Sequence, residues 1–130
     1  RTDGDVWLVD NLDRIGTFRG IRNGWDGRNA RAPSAKTLDA AEMLLALLTT
    51  SLARHRLQMI IDADGRPSFA SSTGDKYIHL VVDPSEEGSN QNRGYLSWYA
   101  VKGGEEKFKD EIPFDGREIP HELRQLIDDL

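Results

Sequence analysis

One hundred and thirty residues, 38% hydrophobic and 30% charged, suit a single domain over residues 1–130. The chain has no cysteine, which excludes disulfides, thiolate metal sites and a catalytic thiol, and fits a reducing, cytoplasmic compartment. Residues 1–56 carry nine Lys/Arg against seven Asp/Glu, net +2, and residues 57–130 carry eight against fifteen, net −7; so acidic a half speaks against general nucleic-acid binding, which needs a basic surface.

The first predicted element is a helix over residues 5–21. Leu8, Leu12, Ile15 and Phe18 share one face, with Trp7 alongside. Asp3 or Asp5 can cap its start, where free backbone amides need an acceptor, and Gly20 can stop it. The segment "RNGWDGRNARAP", 22–33, is loop by its glycines, asparagines and proline. Ser34 then caps a second helix by accepting from the amide of Lys36 or Thr37. Leu38, Ala41, Leu45, Leu48 and Leu52 form its buried face, widened by Leu44 and Leu47, and "ARHR" ends it. Its longest apolar run, "MLLALL", falls far short of the ~20 residues that span a bilayer.

From residue 57 the apolar period drops to two. "LQMIID" reads as a short strand and "DADGRPSF" as a turn entering the next. In "DKYIHLVVD", Ile78, Leu80 and Val82 alternate with Tyr77, His79 and Val81. After the polar stretch 84–92, "RGYLSWYAV" places Leu96, Trp98 and Ala100 opposite Tyr95, Ser97 and Tyr99. "KGGEE" turns the chain into "KFKDEIPF", a broken strand whose Pro113 suits a sheet edge. Pro120 opens a short helix with Leu123, Leu126, Ile127 and Leu130 inward. The expected fold is therefore α+β: two N-terminal helices packed on an antiparallel meander sheet of four or five strands, then a short C-terminal helix.

The tryptophan between two glycines, "GWDG", followed by "APS" and an amphipathic helix, resembles the opening of small uncharacterised bacterial and phage-related proteins. The similarity is strongest over residues 24–48; the later "DADGRPSF", "YIHLVVD" and "IPFDG" are compatible with the body of such proteins. That group has no agreed activity, so the resemblance implies bacterial or mobile-element accessory biology and no catalytic residues.

From the residues themselves, Trp25 is expected to act as a wedge under the second helix or against the sheet. Asp26 is expected to hold backbone amides in an Asx-type turn, or to pair with an arginine. The sharper alternative exposes Trp25 between Arg28 and Arg31 as an anchor for a partner, since Trp and Arg dominate interface hot spots. Arg14, Arg19, Arg22, Arg28 and Arg31 face only Asp26 between positions 14 and 31. The expectation for them is a solvated face with internal pairing to the acidic half. Tyr77, His79, Tyr95 and Tyr99 would form an aromatic patch on the second sheet face, which the C-terminal helix is expected to cover.

No metal or cofactor is expected. "DADG" lacks the later carboxylates of a calcium loop, and His55, His79 and His121 have no metal-ligand spacing. No phosphate loop, dinucleotide fingerprint or nucleophile elbow is present. The expected function is therefore non-enzymatic: an antitoxin-, immunity- or inhibitor-like accessory protein that binds another protein with a basic surface. The acidic residues Glu86, Glu87, Glu105, Glu106, Asp110 and Glu111 would steer that encounter. Two alternatives stay open: an enzyme of unknown class at the GWDG loop, and a nucleic-acid contact through the arginines of 14–31. Polar edge strands leave homo-oligomerisation open.

Overall fold

A computed structural model describes residues 3–48, 57–84 and 94–129, except for the side chains of 3–5 and 73. Glu86 and Glu87, the inward role given to Leu52 and Leu130, the helix end at 53–56 and the caps at Asp3 and Asp5 lie outside what is described. The elements are α1 (Asp3–Arg19), α2 (Ala35–Leu48), β1 (Gln58–Ile61), β2 (Pro67–Thr73), β3 (Lys76–Pro84), β4 (Gly94–Lys102), β5 (Glu105–Phe114) and α3 (His121–Asp129). The strands form one antiparallel sheet in the order β1-β2-β3-β4-β5, a plain meander. The fold is α+β, with two helices before the sheet and one after it. Among the described residues, no helix is long and apolar enough to cross a membrane.

Helix α2 is the centre of the core. Leu38, Ala41, Leu44, Leu45 and Leu48 are fully buried, and each leucine contributes roughly 1.5–3 kcal/mol before entropy is subtracted. Below it lie Met59, Phe69, Ile78, Leu80, Val82, Leu96, Trp98 and Ala100 from the inner face of the sheet. The alternation read in β3 and β4 holds: Ile78 pairs with Ala100, Leu80 with Trp98 and Val82 with Leu96. Helix α3 turns Leu123, Leu126 and Ile127 into the same core.

Ser34 caps α2 as expected. Its Oγ accepts the Thr37 amide at 3.1 Å and lies 2.6 Å from the Thr37 hydroxyl, which is itself buried. Replacing Ser34 with alanine is expected to cost ~1–2 kcal/mol, because an orphan helical amide and a buried hydroxyl both lose their partner. Urea unfolding reads this directly, and Ser34→Asp, which keeps an acceptor, should recover most of the loss.

Helix α1 departs from the expected stripe. Leu12 is 38% exposed, whereas Asn11 is 3% exposed beside buried Trp7 and Ile15. The reason is the edge of the sheet. Trp7 Nε1 donates to the Leu57 carbonyl. Asn11 Oδ1 accepts the Met59 amide at 3.0 Å, and its Nδ2 donates to Trp7 O at 2.9 Å and Leu57 O at 3.4 Å. Arg14 donates to Met59 O at 3.5 Å. These side chains replace the neighbour that β1 lacks, so this edge of the sheet is closed.

The opposite edge is built differently. Strand β5 is exposed from Glu105 to Glu111 and, among the described residues, pairs with β4 alone. Its register breaks opposite Leu96 and Trp98, where Glu111 adopts φ 53° and donates its amide to Ser97 Oγ at 3.0 Å. This is a bulge, a device that bends and ends a free edge. Pro113 lies just beyond it, as an edge position allows.

Candidate functional site

The GWDG loop is held by its own residues. Asp26 Oδ1 accepts the amides of Arg28 at 2.8 Å and Ala30 at 3.2 Å, the Asx-type turn expected of it. Gly24 N donates to Ala30 O at 2.6 Å, and Ala32 N to Asn23 Oδ1 at 2.9 Å. The loop is also docked on the β1–β2 turn, where Arg31 N donates to Ala63 O at 2.8 Å. Trp25 is not a wedge in the core. Its indole is 40% exposed and lies over the loop, donating Nε1–H to Arg31 O at 2.8 Å. The bulk that fills the core beneath α1 and α2 comes from Trp7 and the leucines instead. So Trp25 braces the loop while staying partly in solvent.

The arginines divide. Arg14 serves the β1 edge, and Arg19 pairs with Asp39 at 2.7 Å and Glu42 at 3.0 Å on α2. Those hydrogen bonds raise the Arg19 pKa above its ordinary value. Its partners therefore belong to the N-terminal half, not to the acidic half as expected. Arg22, Arg28 and Arg31 are exposed and make no ion pair among the described residues.

The "DADG" segment is a turn. Asp62 Oδ1 accepts the amides of Asp64 and Arg66, and its Oδ2 takes the Arg66 guanidinium at 2.8 Å. Among the described residues, no three His, Asp or Glu side chains converge to hold a metal.

The second sheet face is where the structure differs most from expectation. Helix α3 does not cover it. Lys102 Nζ donates to Asp129 O, and Leu126 and Asp129 border a cleft with Ala100 and Lys107. Helix α3 therefore lies on the inner face, where Leu126 lines clefts with Trp98 and Ala100 and Leu123 and Ile127 join the core. Among the described residues, no helix covers the outer face. Ladder pairing aligns Ala70, His79, Tyr99 and Phe108 in one row across β2 to β5, and Ser72, Tyr77, Val101 and Glu106 in the next. Tyr77 and Tyr99 meet with ring centroids 6.2 Å apart at 58°. Phe108 is 67% exposed beside them, and Tyr95 is half-buried further along β4. A shallow cleft of about 370 Å³ opens among Arg66, His79, Val81, Ser97, Phe108 and Asp110.

Charge on this face is sorted. Tyr99 donates its hydroxyl proton to Glu106 Oε1 at 2.8 Å, which holds the phenol above its usual pKa. Glu106 and Phe108 point outward with Asp110 close by, while Lys107 and Lys109 pair with the inward Ala100 and Trp98. The lysines thus face the helix layer, where they share a groove of about 420 Å³ with Glu122 and Asp129. The outer face keeps Glu106 and Asp110, with Arg66 across the cleft paired to Asp62 and Asp83. Phe108 is the most exposed of the large apolar residues on it. An apolar residue framed by charge on a Pro-bearing edge strand was the signal available. No family model matches the chain, and neither the curated proteins nor the solved structures yield a match.

Proposed function

We propose that this protein is a non-enzymatic accessory protein of the antitoxin, immunity or inhibitor kind, bacterial or phage-related, acting in the cytoplasm. It masks a basic surface on another protein. The observation that carries the reading is the bare sheet face, with Tyr77, Tyr99 and Phe108 exposed and Glu106 and Asp110 beside them. Exposed aromatics framed by charge are the composition of a protein-binding patch. The acid would speed encounter with a basic partner and set its orientation. The alternatives at the GWDG loop draw less support. Asp26 and Trp25 spend their hydrogen bonds on the loop itself, and of the arginines of 14–31 Arg14 and Arg19 are engaged on β1 and α2, leaving Arg22, Arg28 and Arg31 without an ion pair among the described residues.

The test uses the partner recovered with the protein from its own cells. Replacing Tyr77 and Tyr99 with alanine should weaken that complex by about tenfold or more, since each is a candidate hot spot of ~1–2 kcal/mol. The variant gives up the Tyr77–Tyr99 ring contact and the Tyr99–Glu106 bond, so its fold is checked by circular dichroism before binding is read. Association should also slow markedly as salt rises. A double variant that binds its partner as tightly as the parent sinks the reading.

A further inference from the structure

The two edges of the sheet are treated in opposite ways, and β5 carries a charge order that explains the difference. From Glu105 to Glu111 the sequence runs acidic, acidic, basic, apolar, basic, acidic, acidic, symmetric about Phe108. A strand's free edge presents unpaired N–H and C=O groups and invites another strand. If the guest were a second copy of β5, antiparallel pairing centred on Phe108 would set Lys107 against Lys109 and Glu106 against Asp110. Directly opposed like charges are destabilising. Slipping by two residues sets Lys107 on Lys107 with Glu105 against Lys109 on both sides, or Lys109 on Lys109 with Lys107 against Glu111 on both sides, one like pair against two opposite ones. Slipping by one residue turns the bare face of one copy toward the helix side of the other. The order therefore rejects self-pairing in the centred register, and a complementary guest in that register makes six opposite-charge pairs where a slipped second copy makes two.

The same order specifies what the edge accepts. Opposite Glu106, Phe108 and Asp110 a guest needs basic, apolar and basic side chains on the bare face. Opposite Lys107 and Lys109 it needs acidic ones on the helix side. The bulge at Glu111 and Pro113 end the regular edge, so the guest is held to a short stretch. On the protein-binding reading above, we infer that the partner docks by adding one strand to β5. That strand belongs to a different protein and carries the order basic, acidic, apolar, acidic, basic. Its apolar residue lies beside Phe108, and backbone hydrogen bonding supplies the rest of the affinity.

The full chain can be titrated with the capped peptide KKEVEKK and with its isomer KEKVKEK, which has the same composition and net charge. Amide chemical shifts over residues 105–111 report binding. KKEVEKK should bind about tenfold more tightly, because the isomer opposes like charges at four positions. Two further KKEVEKK peptides carry N-methyl groups on one or the other alternate set of residues. Methylation of the set facing β5 should abolish binding, and methylation of the other should leave it. If both isomers bind alike, or if the two methylated peptides behave alike, strand addition at β5 is overturned. The broader reading is scored separately, because Tyr77 and Tyr99 lie on β3 and β4 and not on the edge.

Discussion

Replacing Asn11 with alanine is expected to destabilise the protein by ~2–4 kcal/mol, a large effect for a polar residue on a helix that looks peripheral. The side chain is buried and bridges α1 to β1 by accepting the Met59 amide and donating to the carbonyls of Trp7 and Leu57. Truncation strands the Met59 N–H, and a buried unsatisfied donor costs ~1–3 kcal/mol. The void left by the missing amide group adds to this. Leu57 O keeps its bond from Trp7, so the loss concentrates on Met59. Asn11→Leu separates the two contributions: it fills the space and leaves only the polar penalty, so it should cost less than alanine. Hydrogen exchange makes the claim specific. The Met59 amide should lose protection in both variants beyond what the global loss of stability explains. If its protection follows global stability alone, α1 does not close this edge.

Asn11 also marks where the sequence stopped being legible. Hydrophobic periodicity found α1, but it placed Leu12 inward and could not see that a polar residue belongs to the buried stripe. The backbone of β1, forty-odd residues away, demands that residue, and periodicity carries no information about an unpaired strand neighbour. The strands were readable for the opposite reason. Ile78, Leu80 and Val82 and then Leu96, Trp98 and Ala100 face one filled side, so a period of two records their burial directly. The outer face misled because Tyr77, His79, Tyr95 and Tyr99 are apolar enough to pass for core; only the position of α3 decides the matter, and that depends on where Leu123, Leu126 and Ile127 find partners. Trp25 misled in a related way. Bulk suggested a wedge, whereas its indole N–H is used within the loop, and the glycines around it shape a self-bonded turn. The charge division was legible as a total but not as a layout. The pairing with β4 sends Lys107 and Lys109 to the helix side and leaves Glu106 on the bare face.

The contact between that loop and the β1–β2 turn sets up the second large effect. Gly65 sits at φ +78°, and a Cβ built there would lie 2.8 Å from Ala32 O and 3.0 Å from both Ala32 C and Arg31 O. All three are backbone atoms, which cannot swing aside as a side chain can. Gly65→Ala therefore combines two penalties: the left-handed backbone, roughly 1–2 kcal/mol, and a forced shift of the loop, on the order of 1–3 kcal/mol. A total of ~3 kcal/mol is expected. Gly27 supplies the control within the same loop. It has φ +80°, and nothing lies within 4 Å of its added Cβ. Gly27→Ala should show the backbone cost alone, ~1–2 kcal/mol. The difference between the two variants then measures how tightly the GWDG loop is seated on the turn. Exchange at the Arg31 amide gives an independent reading, since its bond to Ala63 O crosses that contact. It should quicken in Gly65→Ala and stay protected in Gly27→Ala. Equal losses of stability, with Arg31 protected in both, would mean that the loop and the turn fold without bearing on each other.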